Sequence, residues 1–326
     1  MGKDKVKLAI VGLGYWGPKL VEIFLADEKA EVRVLCDSEW RALSRAVYQH
    51  QVTGVSSLER ALERDVDALI IATPPQTHAA LVRKVLEAGK HVFVEKPLAT
   101  SYEDAYSLKR LAEEKKLVLF VDHTFCYDEV LLKTRGLMGE VLEGVVYDSR
   151  FEWLGARPKP NGPDVLWDSG PHAVSALLFL LGKWPREVSA QVMSRLPNGT
   201  AASLQSSLLL QDGTNAKILL AWSGENFDGK PVEKACRILL KGAPADIEYE
   251  GSFSRRGVSL IIDGLRTPIG MNLHSEPLKA ACRAFLGAIM EKTHILTDGA
   301  FGTEVVAILE KIQQAAESGK VLSLRG

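Results

Sequence analysis

Lys7-Leu8-Ala9-Ile10-Val11-Gly12-Leu13-Gly14-Tyr15-Trp16-Gly17 is an apolar run that stops at a cluster of glycines. Such a run reads as a buried strand, and Pro18–Leu25 after it reads as a helix. A GxGxxG pattern is weak alone. Between a strand and a helix it is the form that binds a dinucleotide. Gly12 permits a tight turn, Gly14 lets the backbone approach a pyrophosphate, and Gly17 lets helix and strand pack closely. Backbone amides and the positive end of the helix then face the phosphates. Tyr15 and Trp16, inside the motif, are cofactor-side candidates with the three glycines. Asp37 stands 25 residues after Gly12, at the end of a second strand, Glu31–Cys36. An acid there accepts hydrogen bonds from ribose hydroxyls and repels a 2′-phosphate, so NAD is favoured over NADP. Arg41 and Arg45 are the nearby features that would favour NADP.

Working outward, apolar strands at Ala68–Ala72, His91–Val94 and Leu117–Val121 alternate with helical patterns at Trp40–Gln49, Ser57–Glu63, Thr77–Ala88 and Tyr102–Glu114. Strand–helix alternation with buried-type strands predicts a doubly wound parallel sheet over residues 1–122. Beyond it the rhythm changes. Strand-like runs Glu143–Trp153, Glu187–Arg195, Ala202–Leu210, Ala216–Trp222, Lys234–Lys241 and Val258–Ile262 follow one another with turn signals between several. Helical patterns cover Asp128–Leu137, Ser169–Leu181, Pro277–Glu291 and Gly302–Ser318. Residues 123–326 therefore read as an α+β domain with a large, mostly antiparallel sheet. Its helices are too few to cover both sheet faces, which points to a homo-oligomer.

The 326 residues carry 40 basic and 41 acidic side chains, a net charge of −1. That balance gives no bulk attraction to nucleic acid or anionic membrane. No apolar run approaches the roughly 20 residues of a membrane helix, and no targeting signal is read at the N-terminus. Cys36, Cys126, Cys236 and Cys282 are dispersed, so neither a disulfide framework nor a metal site is expected, and a cytoplasmic protein with reduced thiols is.

Two further motifs follow strands on the same sheet edge. Thr73-Pro74-Pro75 offers a hydroxyl and a stiff turn, with His78 just inside the next helix as a cofactor-side candidate or, more simply, a packing histidine. Glu95-Lys96-Pro97 places a lysine where it can stabilise a developing alkoxide or a carbonyl oxygen. Gly12–Gly17, Ala72-Thr73-Pro74 and Glu95-Lys96-Pro97, in this order and spacing, resemble the Gfo/Idh/MocA family (glucose–fructose oxidoreductase and inositol dehydrogenase). The resemblance implies NAD(P)-dependent hydride transfer on a sugar, sugar nucleotide or cyclitol. It assigns Lys96 to the catalytic site, with Glu95 beside the cofactor, and implies a cis Lys96–Pro97 bond. It also implies pairing of chains through the second-domain sheet, as dimers or tetramers.

In the second half, Val165-Leu166-Trp167-Asp168-Ser169-Gly170-Pro171-His172 is the informative stretch. Asp168 or Ser169 reads as a helix N-cap and Pro171 suits the first turn. His172 would then lie in that first turn, where the helix dipole keeps it neutral and suited to act as a general base. Asp168, four residues before it, is placed to orient it. The family places its catalytic Asp and His in the same D-x-x-x-H spacing. In relatives the segment of His123 and Tyr127 lies near the substrate. Arg150, Arg157 and Lys159 are candidates for an anionic group, and Trp153 and Trp167 for stacking or core. Gly-Tyr-Trp-Gly-Pro, Val-Leu-Trp-Asp, Glu276-Pro277-Leu278 and Thr297-Asp298-Gly299 look most like the nucleotide-sugar dehydrogenase branch. Members of that branch often carry an acid where this chain has Ala173. Two alternatives stand beside the dehydrogenase: an NAD-dependent glycosidase on the same fold, and a catalytically silent nucleotide-binding protein.

Overall fold

The computed structural model describes residues 5–142, 146–155, 162–222, 235–252, 256–274 and 276–324. The chain begins β1 (Val6–Val11), α1 (Gly17–Leu25), β2 (Ala30–Cys36), α2 (Trp40–His50), β3 (Thr53–Val55), α3 (Leu58–Leu62), β4 (Ala68–Ile71) and α4 (Pro75–Glu87). It continues with β5 (His91–Glu95), α5 (Tyr102–Lys115), β6 (Leu119–Asp122), a short 3-10 turn (Thr124–Tyr127), α6 (Glu129–Val141), β7 (Val146–Gly155) and α7 (Val165–Leu181). Then come β8 (Pro185–Arg195), β9 (Ala201–Leu210), β10 (Asn215–Trp222), β11 (Ala235–Gly242), β12 (Asp246–Ser252), β13 (Arg256–Ile262) and β14 (Leu265–Ile269). The chain closes with α8 (Pro277–Glu291), α9 (Gly299–Ser318) and β15 (Leu322–Ser323). Two compact units result: residues 1–124 with 276–306, and residues 125–275 with 307–326.

In the first unit β3-β2-β1-β4-β5-β6 form one parallel sheet. The order reverses between β1 and β4, the point where an open α/β sheet leaves a crevice for its ligand. β4 is wholly buried, as a strand covered on both faces must be. Caps fix the helix starts: Ser101 accepts from the Asp104 amide at 3.2 Å, and Glu39 from the Arg41 amide at 3.1 Å. β3 escapes a reading by pattern because it is three residues long with two exposed.

Strand rhythm assigns 276–306 to the second domain, whereas the structure packs it in the first unit. β6 is the edge of the parallel sheet, and the returning segment supplies what that edge lacks. The Val121 amide donates to the Thr297 carbonyl at 2.9 Å, and the Thr297 hydroxyl donates to the Val121 carbonyl at 2.7 Å. Phe285 of α8 sits edge-on against Phe93 and Phe120, which stack on adjacent strands 4.9 Å apart. The order of strands and helices carries no trace of such a return.

In the second unit nine strands run β14-β13-β12-β11-β7-β10-β9-β8-β15. β7 and β10 are parallel, and the other pairs are antiparallel. Ser149, Phe151 and Trp153 of β7 point to one face, where α7 packs. α7 buries most of its residues, which makes it the spine of this unit's core. β12, β14 and β15 are additional to the strands read from sequence. β12 and β14 interleave charges with apolar residues, and β15 has only two residues.

Candidate active site

The glycine loop shows the three demands separately. Gly12 has φ +93°, and a Cβ there would lie 2.6 Å from the Ala72 carbonyl oxygen and 2.9 Å from Thr73 Cγ2. A Cβ on Gly17 would run into the carbonyl oxygen of Gly12. A Cβ on Gly14 would meet nothing within 4 Å. The first and third glycines thus serve the protein's own packing, and the second faces open space. Asp37 accepts from the Leu13 amide at 2.6 Å and from the Glu39 amide at 2.7 Å. It therefore ties the end of β2 to the loop after β1. Arg41 and Arg45 are exposed on α2. Tyr15 and Trp16 meet edge-on at 5.3 Å, and the Lys19 ammonium lies 4.8 and 4.4 Å from their ring centres. A cation over an aromatic face is attracted by the ring's negative quadrupole. Nothing in the sequence singles out Lys19, because a lysine on an exposed helix face is ordinary.

Across the reversal point, Thr73 shares a 2.7 Å hydrogen bond with the Thr77 hydroxyl. Pro74 precedes α4, which begins at Pro75. His78 is 1% exposed, with Nδ1 2.7 Å from the Pro97 carbonyl oxygen and Nε2 2.8 Å from that of Thr73. It bridges the loops after β4 and β5 through both ring nitrogens. Burial lowers its pKa, against the two carbonyl contacts. The Lys96–Pro97 bond is cis.

Glu95 and Asp122 end β5 and β6 in register. Asp122 is 1% exposed; its Oδ1 accepts from the Thr124 hydroxyl at 2.8 Å, and its Oδ2 has no hydrogen-bond partner among the described residues. Burial pushes its carboxyl up to about 7, with the Lys96 charge opposing. His123 is fully buried, edge-on to Phe301, and neither ring nitrogen finds a hydrogen bond among the described residues. Burial and Lys96 push it down to about 3. Asp122 escapes the sequence reading, since a lone Asp at a strand end signals a turn. Its register with Glu95 is the missing information.

In the second unit α7 starts earlier than the sequence predicts. Asp164 is the N-cap, accepting from the Trp167 amide at 3.0 Å, so neither Asp168 nor Ser169 caps. Asp168 lies in the first turn and Pro171 inside the helix. His172 therefore stands two turns in, where the dipole has faded. The buried Val165 and Leu166 favour the longer helix by adding apolar area. His172 stacks on Trp153 at 5.8 Å and meets Phe125 edge-on at 5.1 Å. Trp153 is 2% exposed, so it serves as core. Trp167 donates its indole N–H to Gln313 at 2.7 Å. Tyr127 is buried in the 3-10 turn. Arg150 alternates with Phe151 along β7, so it points to the sheet face away from α7, near Glu152 at 3.7 Å. That placement removes it from the surroundings of His172. Arg157 and Lys159 lie outside the described residues.

Residues 6–123 match the model of the oxidoreductase family with an NAD-binding Rossmann fold, Gfo/Idh/MocA. Over that stretch the chain carries the nucleotide-binding domain of that family. Among curated relatives, an uncharacterized oxidoreductase of Streptococcus pneumoniae is 28% identical over 197 residues, or 56% of this chain. The match spans only 52% of that relative's length. UDP-N-acetylglucosamine 3-dehydrogenase GnnA from Acidithiobacillus ferrooxidans superposes with TM-score 0.84 at 22% identity, covering 96% of this chain and 98% of that one. The WlbA dehydrogenase from Bordetella pertussis, solved with NADH and UDP-GlcNAcA, gives TM-score 0.84 at 21% identity over 99% of each chain. Likeness at these identities establishes the fold that this chain shares with them.

Proposed function

We propose that this chain is an NAD-dependent dehydrogenase or ketoreductase acting at a CH–OH or keto carbon of a carbohydrate, with a sugar nucleotide as the favoured class. The observation that carries the reading is the glycine loop. Gly12 and Gly17 have no room for a side chain, whereas Gly14 has nothing within 4 Å. That is the cradle a pyrophosphate requires, and the amides at the start of α1 complete it. Gly12, Gly14, Gly17, Tyr15, Trp16, Thr73 and Pro74 would hold the dinucleotide. Asp37 favours NAD, because its carboxylate sits at the loop where a 2′-phosphate would bring negative charge. The sugar-nucleotide class is supported by the names and ligand of the two similar structures.

Bound nicotinamide supplies the hydride acceptor or donor. The chain's own residues supply the proton chemistry. Lys96 holds the reacting oxygen and stabilises its developing charge. His172 takes the hydroxyl proton in oxidation and returns it in reduction. Asp168, one turn earlier on the same helix, orients His172 or binds a neighbouring hydroxyl. We further read the open face of the nine-stranded sheet as a self-association surface. A cavity of about 420 Å³ opens there beside Glu187, Ser189, Ser207 and Lys217, and no proposed active-site residue lines it. A dimer or tetramer by light scattering is the expected result.

The deciding experiment measures NADH and NADPH formation across UDP-sugars, uronates, free sugars and inositols, with Lys96→Ala as control. A signal with NAD that falls about 10²–10³-fold in Lys96→Ala is expected. Glycoside cleavage without net NADH would overturn it in favour of the glycosidase.

A further inference from the structure

The ends of β5 and β6 place two carboxyl groups side by side. Phe93 pairs with Phe120 and Glu95 with Asp122 along one register. The Phe93 and Phe120 rings stack face to face on one side of the sheet, with planes 9° apart. Side chains two residues further along point to that same side, so Glu95 and Asp122 are neighbours at strand spacing, about 4.8 Å. Both are buried. α8 covers them: Phe285 packs on the stacked rings, and the buried Cys282, one turn earlier, feels Asp122 and Glu95 as its leading charges. Two ionised carboxylates at this separation, shielded from water, repel strongly, and such a pair retains a proton. Oδ2 of Asp122, without a hydrogen-bond partner among the described residues, is the atom left to carry it.

We propose that Asp122 is a positioning residue for Lys96. With Glu95 it holds one shared proton, and the single remaining negative charge anchors the Lys96 ammonium at the reacting oxygen. Burial raises the titration of Asp122 to about 7, against its Thr124 hydrogen bond and the Lys96 charge. The charge of Lys96 also reaches His78, Asp122 and His123. The titratable groups facing Asp122 are Glu95 at the end of β5, Lys96 beyond it, His123 beside it and Cys282 on α8. His123 stays neutral down to about pH 3 and Cys282 titrates far above neutrality, so neither supplies charge near pH 7. Loss of the shared proton doubles the negative charge facing Lys96. Replacement of Asp122 by Asn removes the titration. The proposal rests on the reading of Lys96 as the oxygen-binding lysine.

The test needs no substrate. Full-length chain carrying carboxyl-¹³C aspartate is titrated by difference infrared spectroscopy in wild type, Asp122→Asn and Glu95→Gln. Reductive ¹³C-methylation reports the Lys96 amine by NMR, assigned by its absence in Lys96→Arg. A protonated aspartate band that persists at pH 6, fades near pH 7 and is absent from Asp122→Asn is expected. In Glu95→Gln its midpoint should fall, because the like charge is gone. In Asp122→Asn the ¹³C chemical shift of the Lys96 methyl signal at neutral pH should move, as a neighbouring carboxyl is lost. An Asp122 carboxyl already ionised at pH 6, or a Lys96 methyl signal unmoved in a folded Asp122→Asn, overturns the proposal. Unimpaired turnover of Lys96→Ala would instead overturn the functional reading and leave the carboxyl pair standing.

Discussion

The loop after β1 and the opening turns of α7 both lead the chain into a helix, yet they are built from opposite materials. The loop is shaped by missing side chains: Gly12 and Gly17 make room for backbone, and Gly14 leaves space. The opening of α7 is shaped by large ones, with the His172 ring held between Phe125 and Trp153. A site made of backbone depends on residues adjacent in sequence. A site made of packed rings depends on positions 125, 153 and 172, which only the fold brings together.

The comparison breaks first at His172. If the ring-packed site does the proton chemistry, His172→Ala should lose about 10²–10⁴-fold in turnover while NAD affinity stays unchanged. Equal loss of NAD affinity, read by fluorescence titration, would mean that the two sites cannot be separated. On the glycine side, Gly17→Ala should cost about 1–3 kcal/mol of stability, because a methyl meets the Gly12 carbonyl with nowhere to go. Gly14→Ala should leave urea unfolding nearly unchanged and weaken NAD binding. The reverse pattern would exchange the roles of the two glycines.

pH sharpens the contrast within the first unit. His123, held down near 3, refuses a proton that the unfolded chain takes below about 6.5. Its contribution to stability is therefore lost as pH falls from 6.5 toward 3. Asp122 has the opposite sign. The folded chain keeps a proton up to about 7 that the unfolded chain releases near 3.8, so stability is lost as pH rises across that window. The melting temperature of His123→Phe should decline less than that of wild type between about pH 6 and 4. Parallel curves would mean that His123 charges without cost. The smallest effect belongs to Asp164→Ala. Loss of its 3.0 Å cap on Trp167 should cost about 1 kcal/mol in chemical denaturation. No change would place the helix start nearer Asp168.

These contrasts also explain what is legible in the sequence. The parallel sheet, the glycine loop and Asp37 follow from runs and spacings within about 40 residues, where strand period and turn chemistry operate locally. The start of α7 misleads because Asp164, Asp168 and Ser169 all have cap chemistry, and burial of Val165 and Leu166 decides among them. The two carbonyl contacts of His78 are not readable, since one lies 19 residues away. Arg150 reads as an anion binder until alternation along β7 turns it to the far face. Asp122 needs strand register, and the return of 276–306 needs knowledge of which strand will be the edge. Neither is encoded in any local pattern.

That return has a consequence for how the chain is made. The nucleotide-binding unit begins at the first strand, yet Thr297, Phe285 and the start of α9 complete its last edge. During synthesis β6 waits with an unpaired edge and an uncovered aromatic face while β7 to β14 emerge. The unit encoded first is therefore finished only after most of the second has been made. A ribosome-stalled fragment ending before residue 276 should bind chaperones through β6, even though every glycine of the cofactor loop is already in place.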